Sequence, residues 1–112
     1  MRDELEFFPV EQLPWEVDGP IEQRVLSRGE DGVTLTRQTR WPAGHDTSAG
    51  GVIRHQFHEE VYLLEGSLTD LSLAQTFGPG WYASRRPGMP HGPYRTDDGR
   101  SASDGMHTLI LA

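Results

Sequence analysis

Histidine and glutamate lie close together in one stretch of the chain, where His55 precedes Glu59 and His58 precedes Glu60. In an extended strand, successive side chains point to opposite faces of the sheet. A strand through this stretch would therefore direct His55 and Glu59 to one face, and His58 and Glu60 to the other. Only one of the two pairs can line the interior of a barrel, because a metal ion cannot be shared across a sheet.

A third histidine, His91, lies in a segment rich in proline and glycine, residues 85–93. Together with His55 and Glu59 it would give two imidazoles and one carboxylate. That ligand set, with open coordination positions, suits Fe(II), Mn(II), Ni(II) or Zn(II). The plain alternative is that His55 and Glu59 lie on a surface strand without a function, and that His91 only caps a turn.

The elements that must position these residues are short strands. The 112 residues include 13 glycines and 8 prolines, more than a helical bundle tolerates. Strand pairs are predicted at 21–28 with 33–40, around a turn at 29–32, and at 52–57 with 59–65, unless the latter form one bent strand. Further strands are predicted at 67–73, 74–77, 81–84 and 106–112, with a polar segment at 97–105. The pattern predicts an all-β single domain, and an eight-stranded jelly roll fits the strand count.

The composition excludes several classes of partner. Ten basic residues against 17 acidic ones give a net charge of −7, which argues against binding to nucleic acid or to an anionic membrane. The absence of cysteine excludes disulfides and thiol chemistry. No apolar run is long enough to span a membrane, and the acidic first residues do not form a signal peptide. We therefore expect a cytoplasmic protein.

The stretch around His55 resembles the first motif of the cupin superfamily. His55 is followed after three residues by Glu59 and after six more by Gly66, as in the family's pattern. That pattern begins with another histidine, whose place is taken here by Ile53. The chain therefore holds three of the four ligands that the resemblance implies, if His91 matches as well.

The second motif of the same family is matched around His91. Gly80 is followed at the expected spacing by Gly88 and then by His91, while Arg86 replaces the motif's first proline. The resemblance implies a single-domain cupin, a double-stranded β-helix or jelly-roll barrel, over residues 16–112. The chain is similar to the small cupins found in anti-sigma factors and in acetylacetone dioxygenase.

The resemblance also implies a set of site residues. His55, Glu59 and His91 are the expected metal ligands, and Glu59 and His91 are the expected catalytic residues. Fe(II) is the expected metal, with Mn(II), Ni(II) or Zn(II) as alternatives. Less favoured ligands, which would compensate for Ile53, are His58, Gln75 and His45. A site without any metal is the remaining outcome.

Two classes of function stay open. The first is a metal-dependent enzyme, most similar to a dioxygenase, that acts on a small carbonyl, enol or phenolic compound. Arginines at 85, 86 and 95 flank His91, and one of them would anchor such a substrate unless all are simply solvated. The second is a non-catalytic cupin that binds or senses a metal or small ligand. The third possibility is a purely structural cupin, in which His55 and His91 would lie too far apart to share an ion. If both histidines bind one ion, their imidazole nitrogens should lie about 3 Å apart.

Residues 1–15 are predicted to form an extended N-terminal arm. Phe7, Phe8 and Trp15 make this segment apolar, and Pro9 and Pro14 argue against a helix. An apolar arm is expected to cover a sheet edge or to reach across a two-fold dimer. We expect a homodimer.

Overall fold

A computed structural model describes residues 5–97 and 106–111 as short strands with two single-turn 3-10 helices, Val10–Gln12 and Ser48–Gly50. The nine strands of the described residues are β1 (Glu16–Asp18), β2 (Ile21–Arg28), β3 (Leu35–Trp41), β4 (Glu59–Gly66), β5 (Leu68–Asp70), β6 (Gln75–Phe77), β7 (Tyr82–Arg85), β8 (Tyr94–Thr96) and β9 (Met106–Leu111). The all-β prediction is confirmed. Neither described helix has the length and apolar character needed to cross a bilayer.

The strands form two antiparallel sheets. The larger sheet has the order β1-β2-β3-β9-β4-β7, and the smaller has the order β6-β5-β8. Leu63 and Met106 of the larger sheet and Leu68 and Tyr94 of the smaller sheet form one buried cluster. Alternating apolar residues on facing strands bury themselves by this face-to-face packing. The core therefore sits between the sheets, and Tyr94 belongs to it.

The β2–β3 hairpin agrees with the predicted pair, but β3 starts two residues later than expected. The carboxylate of Asp31 accepts hydrogen bonds from the backbone N–H groups of Val33, at 2.9 Å, and Thr34, at 2.7 Å. These amides are therefore held by the turn instead of the strand ladder. This local side-chain competition moves the start of the strand to Leu35.

The strand predicted at 52–57 is wrong. In that segment only Ile53 makes a β-bridge, to His91, and regular pairing begins at Glu59. The alternation of side chains nevertheless persists, because residues 53, 55 and 57 are partly buried whereas 54, 56 and 58 are exposed. The prediction about which residues share a face therefore holds without the strand on which it was based.

Only part of each predicted terminal segment lies within the described residues. The predicted C-terminal strand is present as β9, while residues 98–105 of the predicted polar segment lie outside the described residues, as do residues 1–4 of the arm. Trp15, at the end of the arm, is held by two arginines. The guanidinium carbons of Arg24 and Arg40 each lie 4.3 Å from its ring centroid. These cation–π contacts attach Trp15 to the larger sheet just before β1.

A buried pair of hydroxyls in the larger sheet gives a stability prediction. Thr39 and Thr108 face each other across β3 and β9, both fully buried, and their hydroxyls are hydrogen-bonded. Thr39→Val leaves the Thr108 hydroxyl without its partner, so we expect it to lower the free energy of unfolding by about 2 kcal/mol. The double change to valine should cost less than the sum of the two single changes.

Urea unfolding measures these differences. Thr76→Val is the control, because Thr76 makes a similar hydroxyl pair with Thr69 on the exposed surface, at 2.8 Å. We expect the control to change stability by less than about 0.5 kcal/mol. Strictly additive losses in the double variant would contradict the expectation for the buried pair.

Candidate metal centre

The structure brings together the three residues that the sequence marked as metal ligands. His55, Glu59 and His91 each offer one donor atom, and these three atoms lie within 4.8 Å of one another. The Nε2 atom of His55 lies 3.8 Å from Oε2 of Glu59. No other group of three such side chains is found in residues 5–97 and 106–111.

Backbone hydrogen bonds hold the two contributing segments against each other. The amide of Ile53 donates to the carbonyl of His91 at 2.7 Å, and the amide of His91 donates back to Ile53 at 2.9 Å. The amide of Gly88 donates to the carbonyl of His55 at 2.7 Å. The loop that carries His91 is thereby fixed beside the segment that leads into β4, where Glu59 is the first residue.

The two ring nitrogens of His91 lie in different surroundings. Its Nδ1 lies 2.8 Å from the hydroxyl of Tyr94, whereas its Nε2 is buried and has no hydrogen-bond partner among the described residues. Burial, and secondarily the Arg85 guanidinium, lower the pKa of His91 to about 4. The imidazole is therefore neutral near pH 7, which is the form that binds metals. An orphaned buried nitrogen beside a second imidazole and a carboxylate fits a divalent metal.

Arg85 is a site residue that the sequence pattern placed in the loop at 85–93, whereas it belongs to a strand. It is the last residue of β7 and lies directly opposite Glu59 in β4. Its Nη1 donates to Oε1 of Glu59 at 2.8 Å, and its Nη2 donates to the Tyr94 hydroxyl at 2.8 Å. The side chains of Arg85 and Glu59 are only 13% and 8% exposed. The alternation of side chains along the strand could have located it, since Ala83 and Arg85 share the interior side of β7.

Tyr94 links the arginine to the histidine. Its ring lies in the core, and its hydroxyl contacts both Arg85 and His91. Burial raises the pKa of Tyr94 to about 12, so the hydroxyl keeps its proton. The hydrogen-bonded series Glu59–Arg85–Tyr94–His91 orients two of the three candidate ligands, as outer-sphere partners do in metal sites.

A cavity of about 680 Å³ opens beside this cluster, between the two sheets. Its polar lining includes Arg85, His91 and Asp70. Its apolar lining includes Val61, Leu63, Leu68, Phe77 and Trp81. A mostly apolar pocket with a few convergent polar groups is the usual form of a small-molecule site.

Comparison with known proteins identifies the fold. No family model matches the sequence, and no curated protein matches it significantly. Among solved structures, an RmlC-like cupin from Shewanella frigidimarina aligns with a TM-score of 0.67 at 14% identity, over 98% of this chain and 91% of that one. The chain has the cupin fold. The expected cupin architecture is thus confirmed.

Two further cupin-fold matches differ in their described roles. A chain in the complex of Rhodobacter sphaeroides SigE with the anti-sigma ChrR aligns with a TM-score of 0.66 at 19% identity, over 93% of this chain. The present chain spans about half of that chain's length, 51%. A putative acetylacetone dioxygenase from Methylibium petroleiphilum aligns with a TM-score of 0.68 at 15% identity, over 97% of this chain and 77% of that one.

Two of the less favoured ligands, His58 and His45, lie outside the three-residue group. His58 is exposed, and its Nε2 lies 3.2 Å from the hydroxyl of Ser84. His45 packs edge-on against Trp41, with ring centroids 5.1 Å apart. Gln75 lines the cavity. Ile53, at the position of the cupin motif's first histidine, packs against the core cluster.

Gly92 gives a test of how the His91 loop is held. It has a φ of +76°, and an added Cβ would lie 3.1 Å from the ring of Tyr94. Gly92→Ala should therefore lower the free energy of unfolding by about 3 kcal/mol, from backbone strain and overlap with a buried ring. Gly88→Ala is the matched control, because Gly88 has a φ of +81° but open space around it. It should cost about 1 kcal/mol in the same urea titration. Equal losses would contradict the proposed close approach to Tyr94.

Proposed function

We propose that the chain is a metal-dependent cupin that acts on a small carbonyl, enol or phenolic compound in a dioxygenase-like reaction. The observation that carries the proposal is the buried, unpartnered Nε2 of His91 beside His55 and Glu59. Leaving such a nitrogen without a partner costs free energy, and a bound ion would recover it. The donor atoms of His55 and His91 lie within 4.8 Å of each other, close to the separation that a shared ion requires, which argues against a purely structural cupin.

His55, Glu59 and His91 would hold the ion. Fe(II) is the proposed metal, because two imidazoles and one carboxylate with open positions suit non-haem iron; Mn(II), Ni(II) and Zn(II) are the alternatives. The metal would supply a Lewis acid and, if it is iron, the capacity to activate O₂.

The protein's own groups prepare the substrate. The apolar cavity walls exclude water from the body of the ligand, and Arg85 and His91 present polar groups at the end near the ligand cluster. Oε2 of Glu59 points toward His55, since Oε1 is held by Arg85. Glu59 can serve there as a ligand or as a base that takes a proton from an enol or phenol hydroxyl. His91 can hold its own proton at Nδ1, facing the Tyr94 hydroxyl.

The similarity to a putative acetylacetone dioxygenase supports the substrate class, since acetylacetone is a small dicarbonyl compound. The alternative is a cupin that binds or senses a metal or small ligand without turnover. Ile53 favours this alternative, because it leaves three donors where the cupin pattern has four. The similarity to a chain in an anti-sigma complex is in line with it.

Metal content tests the proposal directly. Protein purified without a histidine tag should contain one equivalent of metal after incubation with Fe(II) and desalting, measured by elemental analysis. His91→Ala should lose at least nine-tenths of it, because two donors hold a divalent ion poorly. His58→Ala is the matched control, since His58 lies three residues from His55 but outside the cluster.

Absence of metal after incubation with Fe(II), Mn(II), Ni(II) or Zn(II) would overturn the proposal. Metal without O₂ uptake on any dicarbonyl or phenol would leave the sensing alternative.

We also propose that the protein is a cytoplasmic homodimer. The cysteine-free sequence is in line with that compartment. Phe7 is fully exposed and Leu5 is more than half exposed in the single chain, and a second copy would cover them.

Light scattering on the purified protein should give twice the mass of the chain. Phe7→Ser should shift the mass toward that of a single chain at micromolar concentration. Val33→Ser, a similar change at another exposed apolar residue, should leave the mass unchanged. A monomer mass for the unaltered protein would contradict the dimer.

A further inference from the structure

Arg85 determines how much charge the candidate ligands present to a metal. Glu59 brings one negative charge, and the guanidinium of Arg85 lies 2.8 Å away and cancels it. Metal-binding imidazoles are neutral ligands. His55, Glu59, His91 and Arg85 together therefore carry no net charge, so the guanidinium offsets the attraction of Glu59 for a divalent cation. The buried carboxylate of Asp70 also lines the cavity.

Arg85 also has donors to spare. A guanidinium carries five N–H donors in a planar fork, and the described residues accept two hydrogen bonds from it, at Glu59 and Tyr94. The side chain lines the cavity, next to the apolar wall that Val61 and Leu63 contribute. The fork geometry suits a carboxylate or another delocalised oxyanion, and the apolar wall suits a hydrocarbon body.

We propose, building on the metal site of the proposed function, that Arg85 forms an anion subsite of the cavity and couples ligand binding to metal binding. The ligand class is a small organic acid or enolate with an apolar body. An anion at Arg85 offsets the guanidinium charge that opposes the metal. By linkage, the metal must strengthen anion binding by the same factor.

Benzoate and Co(II) are suitable probes. Benzoate combines a carboxylate with an apolar ring, and benzamide is its neutral match of nearly the same shape. Saturating benzoate should tighten Co(II) binding to the unaltered protein by about tenfold, a typical coupling between two ligands. Isothermal titration and the visible absorption of Co(II) both report this affinity. Benzamide should leave the Co(II) affinity unchanged, and Co(II) should tighten benzoate binding by the same factor.

Arg85→Gln tests whether the guanidinium carries the coupling between benzoate and Co(II). With the positive charge removed, Co(II) should bind more tightly than to the unaltered protein when no anion is present, and benzoate should no longer change that affinity. Arg86→Gln is the matched control, because Arg86 is the neighbouring residue with an exposed side chain. It should keep the coupling. Circular dichroism checks that the variants are folded, and if Arg85→Gln does not fold, the benzoate and benzamide comparison on the unaltered protein decides.

The failures are distinguishable. If Co(II) binds but benzoate leaves its affinity unchanged, the coupling is overturned and the metal site stands. Coupling that persists in Arg85→Gln also overturns it, because benzoate would then act on the metal without the arginine. If neither the unaltered protein nor Arg85→Gln binds Co(II), the proposed metal site fails, and the coupling fails with it.

Discussion

The candidate site depends on the reciprocal backbone hydrogen bonds between Ile53 and His91. They join two segments that are remote in sequence, and the backbone hydrogen bond from Gly88 to His55 adds to them. Because these bonds use only main-chain atoms, they do not require a particular side chain at position 53. Isoleucine can therefore occupy the position of a cupin ligand, with its side chain against the core, while the backbone still delivers His91 to His55 and Glu59.

The polar groups behind the site are stabilised as one network. Glu59 is buried at the start of β4, and a buried carboxylate is costly unless it is paired. Arg85 provides the pairing because the β4–β7 register places the two residues opposite each other. The same guanidinium reaches Tyr94, whose ring is anchored in the core and whose hydroxyl orients His91. Removing any member would leave a buried polar group unsatisfied, so the network gives the site a single arrangement.

Much of this could be predicted from sequence because the relevant rules are local. Alternation of side chains correctly placed His55 and Glu59 together and His58 apart from them, and the cupin motif spacing brought in His91. Of the features that escaped prediction, two depend on neighbouring residues. The Asp31 carboxylate shortens β3 by binding its amides, and the 52–57 segment lacks a partner strand, although its composition favours one. Arg85 escaped because its strand was predicted to end one residue early, which moved it from an interior position to a loop.

Ile53 and Arg85 act on the candidate site in the same direction. Ile53 removes one donor, and Arg85 adds a positive charge next to another. At the proposed metal site each would lower the affinity of the protein alone for a divalent ion, since coordination bonds and negative charge are what hold such an ion. Neither change weakens the fold, because Ile53 adds to the core and Arg85 pairs with a carboxylate that burial would otherwise penalise. Selection for stability alone would therefore not remove them. A site of this kind can still retain an ion if part of the binding free energy comes from a small molecule in the adjoining cavity. The apolar walls and the free donors of Arg85 are the groups that would bind it.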